Sequence, residues 1–121
     1  MSGRPTLVLG ASPKPDRYSN RAVRRLLAQG HPVVAVGARA GRIGEEIIRT
    51  DLPEGFRCHT VTLYLNAHNQ LVWQDRLLAL TPQRIIFNPG AENHHLAEEA
   101  RRRGIEVVEG CTLVMLAAGT Y

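Results

Sequence analysis

Apolar positions along this chain fall into two alternating kinds of block. Thr6–Gly10, His31–Gly37, His59–Leu65, Gln83–Asn88 and Ile105–Glu109 are short runs rich in valine, isoleucine, leucine and threonine, the make-up of strands. Several of them lack a polar face, which fits a parallel sheet covered by helices on both sides. Between these runs the apolar residues are spaced for helices. Ser19–Gln29 is amphipathic, with Ser19 as a candidate N-cap, Gly30 as a C-terminal stop and Pro32 just beyond. Asn66 caps a second predicted helix, which runs to about Leu80 with Leu71, Trp73, Leu77 and Leu78 as its apolar positions and ends at Thr81-Pro82. Glu92–Arg103 is a third, acidic early, arginine-rich late and closed by Gly104. Cys111–Ala118 reads as a last apolar helix packed on the sheet. In the segment 38–57, Gly41, Gly44, Pro53 and Gly55 mark turns, and Glu45–Thr50 is compatible with a short helix or a short strand.

The alternation predicts a three-layer, doubly wound α/β fold, Rossmann-like, with a mostly parallel five-stranded sheet in one domain spanning residues 1–121. Length supports one domain, since 121 residues with 44% hydrophobic content can bury a core but leave little room for a second. The apolar run at Leu113–Ala118 is too short to cross a bilayer. No charged-then-apolar leader precedes Thr6, so a cytoplasmic protein without a membrane role is expected. Cys58 and Cys111 lack the spacing of a zinc or redox motif and are expected to be free thiols.

A formal charge of +4 and a pI near 9.7 raise the question of nucleic acid. Fourteen of the fifteen basic residues are arginines, and they are scattered. The densest run, Arg101–Arg103, closes a predicted helix, where cations complement the dipole and project into water. With aromatics at 5%, little is left for base stacking, and nucleic acid is not the expected partner.

The charge is better placed for a small phosphorylated ligand. In a doubly wound sheet, ligands bind at the carboxyl ends of the strands where the winding reverses. That rule brings together the loop after Gly10, the loop after Gly37 and the strand ends at Leu65-Asn66 and Asn88-Pro89-Gly90. The first loop leads into a helix whose N-terminal N–H groups attract anions. These segments carry Ser12, Lys14, Arg17, Ser19 and Arg39, with Asp16 as the one carboxylate. A dinucleotide loop would read Gly-x-Gly-x-x-Gly and be followed by an acid after the second strand. Here Ser12 holds the second glycine position, Pro15 the third, and Arg39 follows the second strand. An arginine there suits a ribose phosphate, as in NADP or coenzyme A.

Three stretches, Gly10-Ala-Ser-Pro-Lys-Pro-Asp-Arg-Tyr-Ser-Asn20, Asn88-Pro-Gly-Ala-Glu-Asn93 and Gly104-Ile-Glu-Val-Val-Glu-Gly-Cys111, resemble the small bacterial CoA-binding proteins. Those are single Rossmann-like domains similar to the CoA-binding domain of the succinyl-CoA synthetase α subunit. The resemblance implies that Gly10, Ala11, Ser12, Lys14, Arg17, Tyr18, Ser19 and Asn20 cradle the pyrophosphate. It implies also that Gly37 lets the adenosine approach, that Arg39 meets the ribose phosphate, and that Leu65, Asn66, Asn88, Pro89 and Gly90 border the rest of the groove. The ligand implied is coenzyme A or an acyl-CoA. Where the family commonly has an asparagine-proline turn after the second strand, this chain has Gly37-Ala38-Arg39-Ala40-Gly41.

No catalytic set is apparent. His31, His59, His68, His94 and His95 have no base or nucleophile beside them, and His94-His95 lacks the i, i+4 spacing of a metal pair. Cys111 follows the last strand near the ligand edge, where a mixed disulfide with the CoA thiol is conceivable, but the apolar run after it favours a packed thiol. The expectation is therefore a non-catalytic CoA-binding protein that senses, carries or regulates, free to form a homodimer. An NADP-binding oxidoreductase and a ligand-free partner-binding module are the alternatives.

Overall fold

The computed structural model describes residues 3–121. Twelve elements follow one another: β1 (Thr6–Leu9), α1 (Tyr18–Ala28), β2 (Val33–Val36), β3 (Gly41–Ile43), β4 (Glu46–Arg49), β5 (Thr60–Leu63), α2 (Ala67–Gln70), α3 (Gln74–Ala79), β6 (Arg84–Phe87), α4 (His94–Arg102), β7 (Glu106–Glu109) and α5 (Thr112–Ala118). One sheet holds all seven strands in the order β3-β4-β2-β1-β5-β6-β7, parallel throughout except for the antiparallel β3–β4 pair. The α/β, doubly wound prediction holds, while the predicted five strands become seven. The two extra strands come from the segment around Glu45–Thr50, where β3 and β4 form a hairpin turning at Gly44-Glu45, with Gly44 at φ +60°. Glycine adopts that backbone without a steric penalty.

Burial explains why the other strands were legible. β1, β5 and β6 are buried at every position, as central parallel strands are when helices cover both faces. One face packs Leu7, Leu9, Val61, Leu63, Ile85 and Phe87 against Leu77, Leu78, Leu96, Ala97 and Ala100 of α3 and α4. The other packs Val8, Ala35 and Ile48 against Val23 and Leu26 of α1 and Leu116 of α5. Among the described residues, no helix is long and apolar enough to cross a membrane.

Two helix predictions are corrected. The N-cap of α1 is Arg17 rather than Ser19, which lies inside the first turn and is buried; no side chain caps this helix. The single helix expected from Asn66 to Leu80 is two short ones separated by the turn Leu71–Trp73. Asn66 does cap the first of them, its side chain accepting from the Asn69 N–H. The buried amide of Gln70 donates to the carbonyls of Leu65 and Ala91, and its oxygen accepts from Asn93 Nδ2. These bonds tie the end of α2 to the loop before α4. Leu71, an expected apolar contact, is exposed as a result, and Trp73 is half-buried. The arginines 101–103 are exposed, and Arg102 pairs with Glu99 at 2.6 Å.

At the amino edge of the sheet, Arg84 is buried with no carboxylate partner among the described residues. Its Nε donates to Thr60 Oγ1 and its Nη1 to the Tyr121 carbonyl, and the Tyr121 ring lies 4.4 Å over the guanidinium. His31 and His59 flank this cluster, each using Nδ1: His31 Nδ1 accepts from the Arg4 N–H, and His59 Nδ1 bonds the Thr60 hydroxyl. Burial first, then the charges of Arg4 and Arg84, lower both imidazole pKa values. Folding thus favours the neutral rings, and that stabilisation is present above the unfolded value near 6.5 and lost as pH falls. The melting temperature is expected to drop between pH 7.5 and pH 5.5. The double variant His31→Gln/His59→Gln should show a flatter dependence in the same thermal scans; an unchanged slope would locate the effect elsewhere.

Candidate functional site

The winding reverses between β1 and β5, since β2 and β4 lie to one side of β1 and β5, β6 and β7 to the other. A cleft of about 530 Å³ opens there at the carboxyl edge, within the size range of small-molecule sites. Gly10, Ala11, Ser12, Pro13, Lys14, Arg17, Tyr18 and Ser19 line one side, with Ala38, Arg39, Tyr64 and Pro89 completing it. The loop is held open by its own backbone. The N–H groups of Gly10 and Ala11 both donate to the Val36 carbonyl, at 2.8 and 2.9 Å. Gly10 leaves the strand at φ +101°, with a Cβ position only 3.1 Å from Tyr64, so glycine is needed to turn the chain away from β5.

Beyond that turn the loop is braced from below. Buried Asn20 donates through Nδ2 to the Ser12 carbonyl at 2.9 Å, and its oxygen accepts from Arg24 Nε. Arg24 also donates to the Pro15 carbonyl. The Ser12 hydroxyl accepts from the Lys14 N–H at 3.2 Å. The loop delivers Lys14 and Arg17 to the mouth of the cleft, exposed, and the loop after β2 delivers Arg39 to its far side. None of the three forms an ion pair with another described residue. Among the described residues, no carboxylate lines the cleft. The first turn of α1 carries no acid and no capping side chain, and the exposed carboxylate of Asp16, one residue before the N-cap, is not part of the cleft lining, so the first N–H groups and the positive dipole end lie at this space. Three cations and a helix N-terminus around a cleft are an arrangement that suits an anion.

Nine of the fifteen residues read from the sequence line this cleft: Gly10, Ala11, Ser12, Lys14, Arg17, Tyr18, Ser19, Arg39 and Pro89. The other six do not, and each has another occupation. Asn20 braces the loop. Gly37 is approached by Ala11, whose carbonyl oxygen lies 2.2 Å from where a Gly37 Cβ would stand, so the missing side chain makes room for the loop. Leu65 packs against the core, and Asn66 caps α2. Asn88 is buried, donating to Thr62 Oγ1 and the Leu63 carbonyl and accepting from the Thr112 N–H. The Gly90 N–H donates to Glu92.

Pro13, Ala38 and Tyr64 escaped the sequence reading. Tyr64 matters most, because its side chain stands between the loop and α5. Its hydroxyl is buried beside the Thr62–Thr112 pair without meeting either at good hydrogen-bond geometry, and burial pushes the phenol up to about 12. Both cysteines are free and half-buried. Cys111 is the N-cap residue of α5 and does not line the cleft, and burial pushes the Cys58 thiol up to about 11. Among the described residues, no three His, Cys, Asp or Glu side chains gather where a metal could bind.

A doubly wound sheet with a basic cleft at its switch point has the layout of a nucleotide-type binding domain. The family model of the CoA binding domain matches residues 4–117, and the chain belongs to that family. Membership supports binding of coenzyme A in general. A solved structure described only as an uncharacterized protein is 45% identical over the whole of both chains, with a TM-score of 0.92. A hypothetical protein from Pyrococcus horikoshii OT3 shares 20% identity and a TM-score of 0.81, over 93% of this chain and 81% of that one. The dinucleotide-forming acetyl-coenzyme A synthetase 1 of Ca. Korarchaeum cryptofilum, solved with phosphate and ADP, is similar at 18% identity and a TM-score of 0.64. It is matched by 87% of this chain over 25% of its own length. At such identities the last two likenesses are of fold alone. Among curated proteins none matches the chain.

Proposed function

We propose that this chain is a non-catalytic carrier, sensor or regulator that binds coenzyme A or an acyl-CoA in the cleft between β1 and β5, in the cytoplasm. The observation that carries this reading is the meeting of Lys14, Arg17 and Arg39 with the uncapped N-terminus of α1 in a cleft without a carboxylate. The pyrophosphate belongs over the loop and the first turn of α1, and the ribose phosphate at Arg39. Native mass spectrometry of the purified protein should find a non-covalent adduct with the mass of CoA or an acyl-CoA. Co-purified NADP would favour an oxidoreductase ancestry instead. No adduct, with no CoA binding by calorimetry, would leave a module that has kept the fold without the ligand.

Lys14→Ala and Arg17→Ala each remove a charge-assisted bond worth about 1.5–3 kcal/mol where its partner is a phosphate. CoA binding by calorimetry should weaken by about ten-fold or more in at least one, with thermal unfolding little changed because both side chains are exposed. Unaltered affinity in both would remove the anion reading of the loop. Arg39 separates closely related ligands. If it meets the ribose phosphate, the wild type prefers CoA to dephospho-CoA, and Arg39→Ala erases that preference by weakening CoA alone. The difference should shrink at high salt, since Arg39 is exposed. Equal losses for both ligands, or none, would place the ribose phosphate elsewhere.

A further inference from the structure

A second concave surface lies apart from the cleft, between α1 and α5. Arg21, Arg24 and Arg25 form one wall, and Ala28, Leu113 and Ala117 supply the apolar part, around a space of about 500 Å³. Neither helix contains an acidic residue, and none of the three arginines is in an ion pair with a described residue. Arg24 is held in place by Asn20 and the Pro15 carbonyl, so one rib of the wall is pre-organised rather than mobile. Leu27 and Val114, on the same two helices, are 41% and 64% exposed.

We propose that this groove docks an acidic, amphipathic segment of a partner protein, with carboxylates on the arginine wall and aliphatic side chains on the apolar side. Charge complementarity selects that occupant. A second copy packed by a two-fold axis would bring two arginine walls into one interface with no carboxylate from either groove to pair them, because an isologous interface uses the same patch twice. Nucleic acid would use the arginines but not the apolar wall, and no aromatic ring lines the groove; the exposed Tyr18 ring beside Arg21 belongs to the wall of the cleft. An acidic amphipathic helix uses both, in the manner of helix-in-groove recognition.

The test is fluorescence anisotropy with a labelled synthetic amphipathic peptide bearing glutamates along one face and leucines along the other. The expected result is saturable binding that weakens with salt and is at least about ten-fold weaker for the peptide with glutamine in place of glutamate. Arg25→Glu should weaken it by about ten-fold or more, and so should Ala117→Glu, which alters the apolar side without touching an arginine. Both residues are exposed, so thermal scans should show folded variants, and calorimetry should show CoA binding as in the wild type. That second readout separates failure of this proposal from failure of the CoA reading. No saturable binding, or equal binding of both peptides, overturns the proposal. So does tighter binding of a single-stranded oligonucleotide that the same variants abolish, or sedimentation showing a dimer that Arg25→Glu dissociates.

Discussion

Gly37→Ala is expected to be among the most damaging single-methyl additions in the protein. The added Cβ would stand 2.2 Å from the Ala11 carbonyl oxygen and 3.3 Å from the Ile48 side chain. A side-chain tip can rotate out of such a contact, but a backbone oxygen cannot. Ala11 is held on the other side by its N–H bond to the Val36 carbonyl, so relief requires moving the loop, the end of β2, or both. Overpacking usually costs about 1–3 kcal/mol and more where the neighbour is rigid, so a loss of about 3 kcal/mol or more is expected. In a domain of this size that is a fall in melting temperature of about 10 °C. The same displacement carries Ser12, Lys14 and Arg17 out of place, so CoA affinity should fall even in the folded fraction. Gly41→Ala is the matched control: its Cβ would meet no backbone atom, only the Pro13 side chain at 3.4 Å and the Ile48 side chain at 3.7 Å. Those contacts are ordinary, and stability should change by less than about 1 kcal/mol. Chemical denaturation of both variants checks the pair, and comparable losses would show that the Gly37 contact relaxes freely.

The contrast between these two glycines marks what the sequence could convey. The buried strands were legible because their composition follows from being covered on both faces, as at Val61 and Ile85. The β3–β4 hairpin was not, because its strands lie at one edge and alternate: in β4 only Ile48 is buried, while Ile47 is half exposed. Ile43-Gly44-Glu45-Glu46 held the signal, a glycine-led two-residue turn, but the flanking strands are too short to stand out from loop. The break between α2 and α3 was hidden for another reason. Leu71 and Trp73 fit helical spacing, and the turn there accompanies the tertiary bonds of Gln70 to Leu65, Ala91 and Asn93, which local pattern does not encode.

The same division runs through the cleft. Its wall from Gly10 to Ser19 is contiguous in sequence, so the loop and its charges could be read directly. Tyr64 enters only because β5 lies beside β1, a neighbour relation fixed by topology and not by the residues around Tyr64. Asn88 shows the converse. A polar residue at the carboxyl end of a buried strand suits either a ligand groove or an internal bond, and the sequence offers nothing to choose between them.

Asn88→Ala tests that internal role. Asn88 is 2% exposed and joins three elements: Nδ2 donates to Thr62 Oγ1 at 2.7 Å and to the Leu63 carbonyl at 2.9 Å in β5, and Oδ1 accepts from the Thr112 N–H at 2.8 Å at the start of α5. Truncation leaves a buried N–H and a buried hydroxyl short of a partner, and each such group costs about 1–3 kcal/mol. A total loss of about 2–4 kcal/mol is expected, visible in denaturant unfolding and in hydrogen exchange at Thr112. Asn88→Asp is the sharper variant. Its carboxylate can still accept from Thr112, but it has no proton for Thr62 or the Leu63 carbonyl, and it buries a charge facing that carbonyl oxygen. Burial and the carbonyl both raise its pKa in the folded state, so folding favours the protonated acid. The destabilisation relative to wild type should therefore be largest near pH 7 and shrink as pH falls toward 4, where the neutral acid regains a donor. Asn88→Ala has no such titration and should differ from wild type by a constant amount over that range. A pH-independent deficit in Asn88→Asp, or an Asn88→Ala protein as stable as wild type but unable to bind CoA, would return Asn88 from the core to the ligand groove.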